Sequence, residues 1–301
     1  MDSKNKNLKN IIITGCSNGL GLETLKKMAK KLPNHRIIMA CRNISKANKV
    51  KEEIEKETKH SNLIVMEIDT SSLESVQNFV KNYKNSSYGK IYSLVCNAGI
   101  GGNSRGTSKD GYDIIFATNH LGHFLLVNSL IPYMEENGRI IVVSSDMHNP
   151  PKDLIKTEFK WIGTEKIAKP DENLANSNIR YSYSKLCNLY FIYEFKKRMQ
   201  GKKIRINAFN PGYIPETGLS GGKLVPPEYI KKIADAHPDI MGDLNKSSQA
   251  LCDISTLENL TNDGEYFDRS TKTIKTSELS YNENNAKELW DISESYVKKY
   301  Y

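Results

Sequence analysis

Tyr181 and Lys185 stand four residues apart at the start of a strongly helical stretch that runs from Tyr181 to about Met199. Positions i and i+4 share a helix face, so an ammonium is expected beside a phenol. A phenol of pKa ~10 is a poor base at neutral pH, and a neighbouring positive charge favours its ionised form. Such a pair is expected to move a proton to or from a reacting oxygen. The same spacing recurs at Tyr193 and Lys197. That second pair lies about 18 Å further along the helix at ~1.5 Å per residue, so the two pairs cannot serve one site. Tyr181, at the helix start, is taken as the reactive residue and Tyr193 as structural.

A second cluster lies near the start of the chain, where Thr14-Gly15-Cys16-Ser17-Asn18-Gly19-Leu20-Gly21 follows an apolar strand and opens a helix. Glycines spaced GxxxGxG let the backbone approach a pyrophosphate, and a helix beginning there presents free N–H groups to it. Gly15, Ser17, Asn18, Gly19, Leu20 and Gly21 are therefore candidate cofactor contacts. The second strand ends Ala40-Cys41-Arg42, with no carboxylate to hold adenosine ribose hydroxyls. A guanidinium there suits a 2′-phosphate, which predicts NADP(H); the alternative is an ordinary surface arginine. Asp69, after the third apolar run, is placed either to accept from the adenine amino group or to cap the next helix.

Elements positioning these residues alternate between short β-rich runs and helical patterns. Strands are expected at Asn10–Thr14, Arg36–Cys41, Leu63–Ile68, Ile91–Cys96, Arg139–Ser144 and Ile204–Phe209. Helices are expected at Leu20–Leu32, Ser45–Lys59, Leu73–Asn82, Gly111–Glu135 and Ala286–Val297, the last with Ala286, Leu289, Trp290 and Val297 on one face. Repeated βαβ units predict an α/β fold, a doubly wound, Rossmann-type, mostly parallel sheet with helices on both faces, and one domain over residues 1–301. Ligands in such sheets bind at the carboxyl ends of the strands. The proline-bearing stretch 146–180 reads as an inserted arm. Pro211–Pro227, with four glycines and four prolines, reads as a mobile loop. Within a substrate loop over about 213–236, Tyr213, Leu219, Leu224, Val225 and Tyr229 predict an apolar or aromatic substrate.

Taken in order, the glycine turn, Cys96-Asn97-Ala98-Gly99, Asn119, Ser144-Ser145, Tyr181-x-x-x-Lys185 and Asn210-Pro211-Gly212 resemble the short-chain dehydrogenase/reductase family over nearly the whole chain. The resemblance implies a catalytic set of Asn119, Ser145, Tyr181 and Lys185. Tyr181 would protonate a carbonyl oxygen as hydride arrives, and Ser145 would hydrogen-bond that oxygen, with Ser144 as the adjacent alternative. Lys185 would hold the nicotinamide ribose, and Asn119 would anchor a water relaying protons to Lys185. Asn97, Gly99, Pro211, Gly212 and Thr217 would join Tyr181 and Lys185 in lining the cofactor. The segments "NHLGHFLLVN", "YSYSKLCN", Thr217-Gly218-Leu219 and "AKELWDISESYV" look most like the group of protochlorophyllide reductases and retinol dehydrogenase-like enzymes. Cys187 matches a cysteine that protochlorophyllide reductases carry near their pigment; a small buried residue is the other reading.

These residues predict an NADPH-dependent oxidoreductase acting on a small-molecule carbonyl or secondary alcohol. The alternatives are a light-dependent protochlorophyllide reductase-like enzyme and a non-catalytic NADPH-binding regulator. The net charge of +8 comes from 43 basic and 35 acidic residues interleaved along the chain, which predicts a basic surface and no nucleic-acid site. Five widely spaced cysteines without a CxxC pair indicate neither a disulfide framework nor a metal site. The polar start MDSKNKNLKN predicts no signal peptide, and no apolar run reads as a membrane span, so a cytoplasmic location is expected. Family members often pair through the Gly111–Glu135 and Tyr181–Met199 helices, which makes a homodimer the expected oligomer.

Overall fold

The structure, a computed structural model, describes residues 8–170, 177–219 and 225–301. Leu224 and part of the expected arm, 171–176, lie outside the described residues. Eight strands form one sheet in the order β3-β2-β1-β4-β5-β6-β7-β8. They are β1 (Lys9–Thr14), β2 (His35–Cys41), β3 (Leu63–Glu67), β4 (Ile91–Cys96), β5 (Met134–Val143), β6 (Arg205–Asn210), β7 (Tyr266–Asp268) and β8 (Thr273–Ile274). Neighbours pair in parallel except β8, which runs antiparallel to β7. The order reverses beside β1 and β4, the switch point where a doubly wound sheet opens a crevice.

Alternation along each strand builds two cores. Ile11 and Ile13 of β1 face the helices Gly19–Lys31, Ile44–Thr58 and Leu244–Thr256. Ile12 faces the helices Leu73–Asn85, Ile114–Tyr133, Ser177–Arg198 and Glu283–Val297. Buried on both faces, central strands need continuous apolar runs, and "NIII" supplies one.

Several boundaries differ from expectation. The Gly111–Glu135 helix begins only at Ile114, because Asp113 caps it, its Oδ1 accepting from the amides of Ile115 and Phe116 at 2.9 and 3.0 Å. Its middle opens into a π turn over Ala117–Leu121, and β5 starts immediately after it, at Met134. Ser177–Arg198 starts a turn before the predicted Tyr181. The helices Pro227–Ala236 and Leu244–Thr256 and the strands β7 and β8 were not predicted. Leu244–Thr256 buries Ser247, Ser248 and Ser255 beside Leu251, which blurs any apolar period.

The Ile114–Tyr133 helix has 20 residues and a mean hydropathy of 1.4, long and apolar enough by composition to cross a membrane, which corrects the expectation that no run approaches that length. Its window is 78% buried, so its apolarity serves the core. Expected pairing through this helix and Ser177–Arg198 meets an obstacle. The Glu283–Val297 helix lies across both, with Trp290 against Phe124 (4.9 Å between ring centres) and Phe191 (5.8 Å). His120 Nε2 is 3.0 Å from Ser293 Oγ across the same seam. The Glu283–Val297 helix thus covers part of both expected pairing faces.

Candidate active site

Strand ends β1, β2, β4, β5 and β6 surround one cleft of about 1000 Å³. At its floor the glycine turn is clamped to the loop after β4. Thr14 Oγ1 accepts from the amides of Asn97 and Ala98, both at 2.9 Å, and Asn97 Nδ2 donates to the carbonyls of Thr14 (2.8 Å) and Gly15 (3.1 Å). A Cβ on Gly15 would stand 2.8 Å from Ala98 Cα, and one on Gly21 would stand 2.5 Å from Asn97 Nδ2. Glycine is required here by loop against loop, and Asn97 spends its amide on that clamp while still lining the cleft.

The helix that opens at Gly19 has an extended Asn18 at its N-cap that makes no side-chain cap bond, and its first turn holds no acidic residue. Its leading amides thus face the cleft with a positive dipole end, which fits a pyrophosphate. Asn18 Nδ2 instead donates to Thr217 O at 3.3 Å, tying the turn to the loop after β6. Gly19 itself does not line the cleft; it takes φ +54° with its Cα against Thr217, where a Cβ would meet Thr217 O at 2.5 Å. Pro211 and Gly212 line the opposite wall. Gly99 also lines the cleft, its Cα packed against Asn119.

At the end of the cleft beside β2, Arg42 is exposed at the edge, joined by Lys46. Lys46 escaped the sequence reading, although it sits four residues from Arg42 in the first turn of the Ile44–Thr58 helix. Asn43 caps that turn by accepting from the Lys46 amide at 2.9 Å. Asp69 lines the same end, and its Oδ1 accepts from the amide (3.0 Å) and hydroxyl (2.6 Å) of Ser71. The capping role foreseen for Asp69 is filled by Ser72 instead, whose Oγ accepts from the Ser75 amide.

Tyr181, Ser145 and Lys185 line the far end together. Of the two serines, Ser144 is buried and donates to the carbonyl of Lys185 at 3.0 Å, whereas Ser145 Oγ accepts from the Met147 amide at 3.2 Å and reaches the Tyr181 hydroxyl. Lys185 Nζ donates to the carbonyl of Val143 at 2.9 Å and lies 5.4 Å from the Tyr181 ring centre. Burial pulls the Lys185 ammonium down to about 7. It also pushes the Tyr181 phenol up, and the Ser145 bond opposes that only in part. Desolvation acts on both groups and favours the neutral form of each.

Asn119 lies behind the cleft, 1% exposed. Its side chain is fully engaged, donating to Ile100 O and Ser184 Oγ at 3.0 Å each and accepting from the Ile100 amide at 2.9 Å. Its carbonyl, inside the π turn, is 3.4 Å from His123 Nδ1. His123 Nε2 is 3.0 Å from Thr14 Oγ1. Thr14 Oγ1 accepts from the amides of Asn97 and Ala98, and its proton lies between Val95 O, at 3.4 Å, and His123 Nε2. Burial lowers this imidazole to about 4, which keeps it neutral. The motif "NHLGHF" holds both residues, but only the fold reveals that His123 links the glycine turn to Asn119.

Tyr193 donates to or accepts from Thr276 Oγ1 at 2.8 Å and stacks on Tyr281, a structural role as expected. Cys187 is fully buried in the core and does not line the cleft, as the reading of a small buried residue has it. Leu219 and Tyr229, 39% and 46% exposed, join Val225, Ile233 and Ile240 at the lip, with Met147 and Leu154 opposite.

The sequence pattern of the family described as short chain dehydrogenase matches residues 9–153. The WW domain-containing oxidoreductase of Gallus gallus is 30% identical over 296 residues, 97% of this chain and 68% of that protein. The chloroplastic protochlorophyllide reductase of Daucus carota is 30% identical over 320 residues, 95% of this chain and 77% of that protein. The L-sorbose reductase of Gluconobacter frateurii, solved with NADPH and L-sorbose, superimposes with a TM-score of 0.66 at 20% identity, over 91% of this chain and 100% of that one.

Proposed function

Since the chain belongs to the short-chain dehydrogenase/reductase family of oxidoreductases, we propose that it is an NADPH-dependent reductase of a carbonyl group, or dehydrogenase of the matching secondary alcohol, on an apolar small molecule. The observation that carries this reading is a single cleft with Arg42 and Lys46 at one end and Tyr181, Ser145 and Lys185 at the other. The uncapped helix start at Gly19 lies in the wall between them.

Arg42 and Lys46 would pair with a 2′-phosphate, the free amides after Asn18 would hold the pyrophosphate, and Lys185 would hold the nicotinamide ribose. When bound, the nicotinamide supplies or accepts the hydride. Tyr181, kept protonated by burial, is suited to give its proton to a carbonyl oxygen, and Ser145 to donate a hydrogen bond to the same oxygen. Lys185, near 7, is suited to return a proton to Tyr181. Asn119 would contribute its backbone carbonyl to a relay, because its side chain is already spent. The apolar lip of Leu219, Val225 and Tyr229 would exclude water and select an apolar substrate.

Five free, buried cysteines among the described residues suit a reducing compartment, and the cytoplasm is part of the proposal. The test is nucleotide titration by fluorescence, NADPH against NADH, followed by a carbonyl screen in the dark with Tyr181→Phe as control. NADPH preference and turnover lost in Tyr181→Phe would support the reading. Binding of neither nucleotide, or turnover only under illumination, would overturn it.

A further inference from the structure

Cys16 and Cys41 meet beneath the cleft with their Sγ atoms 3.7 Å apart. Cys16 is the third residue of the glycine turn, and Cys41 ends β2. Their backbones are held side by side, since Thr14 pairs with Ala40 in the sheet and the Gly15 amide donates to Ala40 O at 2.8 Å. Two thiols brought this close by neighbouring parallel strands need only a rotation of their side chains, with a small backbone adjustment, to reach the ~2.05 Å of a disulfide. We propose that Cys16 and Cys41 form a dithiol site, oxidised to a disulfide by a small hydroperoxide entering through the cleft.

Cys41 is the entry point, because it lines the cleft floor between Ala40 and Arg42 while Cys16 lies behind it. The Cys16 thiol, the Ser17 hydroxyl and the amides of Cys16 and Ser17 surround the Cys41 sulfur and favour its thiolate against the effect of burial, whereas burial raises Cys16. A thiolate of that kind is the form that attacks peroxide. In the first step the Cys41 thiolate attacks hydrogen peroxide; an S–O bond forms, the O–O bond breaks, and hydroxide leaves to be protonated. In the second, Cys16 attacks Cys41 Sγ; the S–S bond forms, the S–O bond breaks, and the Cys16 proton leaves with the hydroxyl as water. Two thiols are oxidised and one peroxide is reduced to two waters.

The consequence falls on the turn itself. Gly15 and Gly21 already touch Ala98 and Asn97 so closely that the turn has no slack. Drawing Cys16 toward β2 shifts the amides meant for a pyrophosphate, so the oxidised chain should lose dinucleotide binding. This last consequence rests on the proposed cofactor reading, whereas the disulfide itself does not.

The test uses the whole chain treated with hydrogen peroxide, followed by peptide mass spectrometry and dimedone trapping. The expected result is a Cys16–Cys41 linked peptide in wild type, reversed by dithiothreitol. Cys16→Ala should stop at a dimedone-reactive Cys41, and Cys41→Ala should form neither species. No linked peptide in wild type, or equal peroxide reactivity at Cys96, Cys187 and Cys252, would overturn the proposal. NADPH titration of each protein before and after oxidation separates the two readings. Binding lost on oxidation and restored by dithiothreitol in wild type, but unaffected by peroxide in Cys16→Ala relative to its untreated sample, supports the coupling. Unchanged binding by a fully disulfide-linked chain would overturn that coupling, and absent binding before oxidation would overturn the cofactor reading while leaving the disulfide measurement intact.

Discussion

Lys185 holds its ammonium 5.4 Å from the centre of the Tyr181 ring and 2.9 Å from the carbonyl of Val143. Both ionisable groups of the pair are buried against one strand end, so each is held nearer its neutral form than in water.

A stability prediction follows for Lys185. Its folded pKa of about 7 lies below its ordinary 10.5, so unfolding takes up a proton between those values. Stability should rise with pH across that window, and below about 7 this group's unfavourable contribution is at its full size. Lys185→Met should flatten that dependence and raise the melting temperature near neutral pH by roughly a few degrees. Val143 O keeps its bond from Asn188 Nδ2 at 3.2 Å, so no carbonyl is orphaned. Thermal melts from pH 6.5 to 10 would check it, roughly the span over which the linkage acts; a variant that melts lower throughout would refute the sign.

Removing the Tyr181 hydroxyl should affect chemistry far more than folding. Tyr181→Phe should lower kcat roughly 10²–10⁴-fold. Its melting free energy should change by no more than about 1 kcal/mol, since Ser145 Oγ retains the Met147 amide. Parallel steady-state kinetics and urea titration would separate the two effects.

Arg42 and Lys46 make the nucleotide preference measurable. Arg42→Ala should weaken NADPH binding by about ten- to a hundredfold and leave NADH nearly unchanged. Lys46→Ala should do the same more weakly, being a single flexible point charge in solvent. Equal losses for both nucleotides would move these residues from the 2′-phosphate to general electrostatics.

Asp113 carries a structural load just ahead of the Asn119 π turn. One carboxylate oxygen caps the helix and the other pairs with Arg180, the neighbour of Tyr181, with both side chains largely buried. Asp113→Ala should destabilise the fold by about 3–5 kcal/mol, because a buried guanidinium loses its partner. Arg180→Leu with Asp113→Asn should recover part of that loss in urea melts.

Local patterns were enough for the glycine turn, the central strands and the placing of Tyr181 rather than Tyr193 at the strand ends. Continuous apolar runs and glycine spacing are properties of adjacent residues, and they survive without knowledge of the fold. β7 and β8 were not legible because three and two residues carry no period, and they exist only through pairing with β6 and each other. The Leu244–Thr256 helix was hidden by the serines on its buried face.

By itself, then, the sequence determined a Rossmann-type sheet and a glycine turn between its first strand and helix, and it nominated the side chains proposed for the chemistry, since each rests on spacing within one element. Tertiary structure decided what those side chains have left to offer. It spent the Asn97 and Asn119 amides on neighbouring backbone, turned Ser144 inward and Ser145 toward Tyr181, and laid the Glu283–Val297 helix over the expected pairing faces. It also brought Cys16 and Cys41 together from separate strands. Hydrogen-bond partners and burial arise from contacts between elements distant in the chain, and those same contacts set the direction in which Tyr181 and Lys185 titrate.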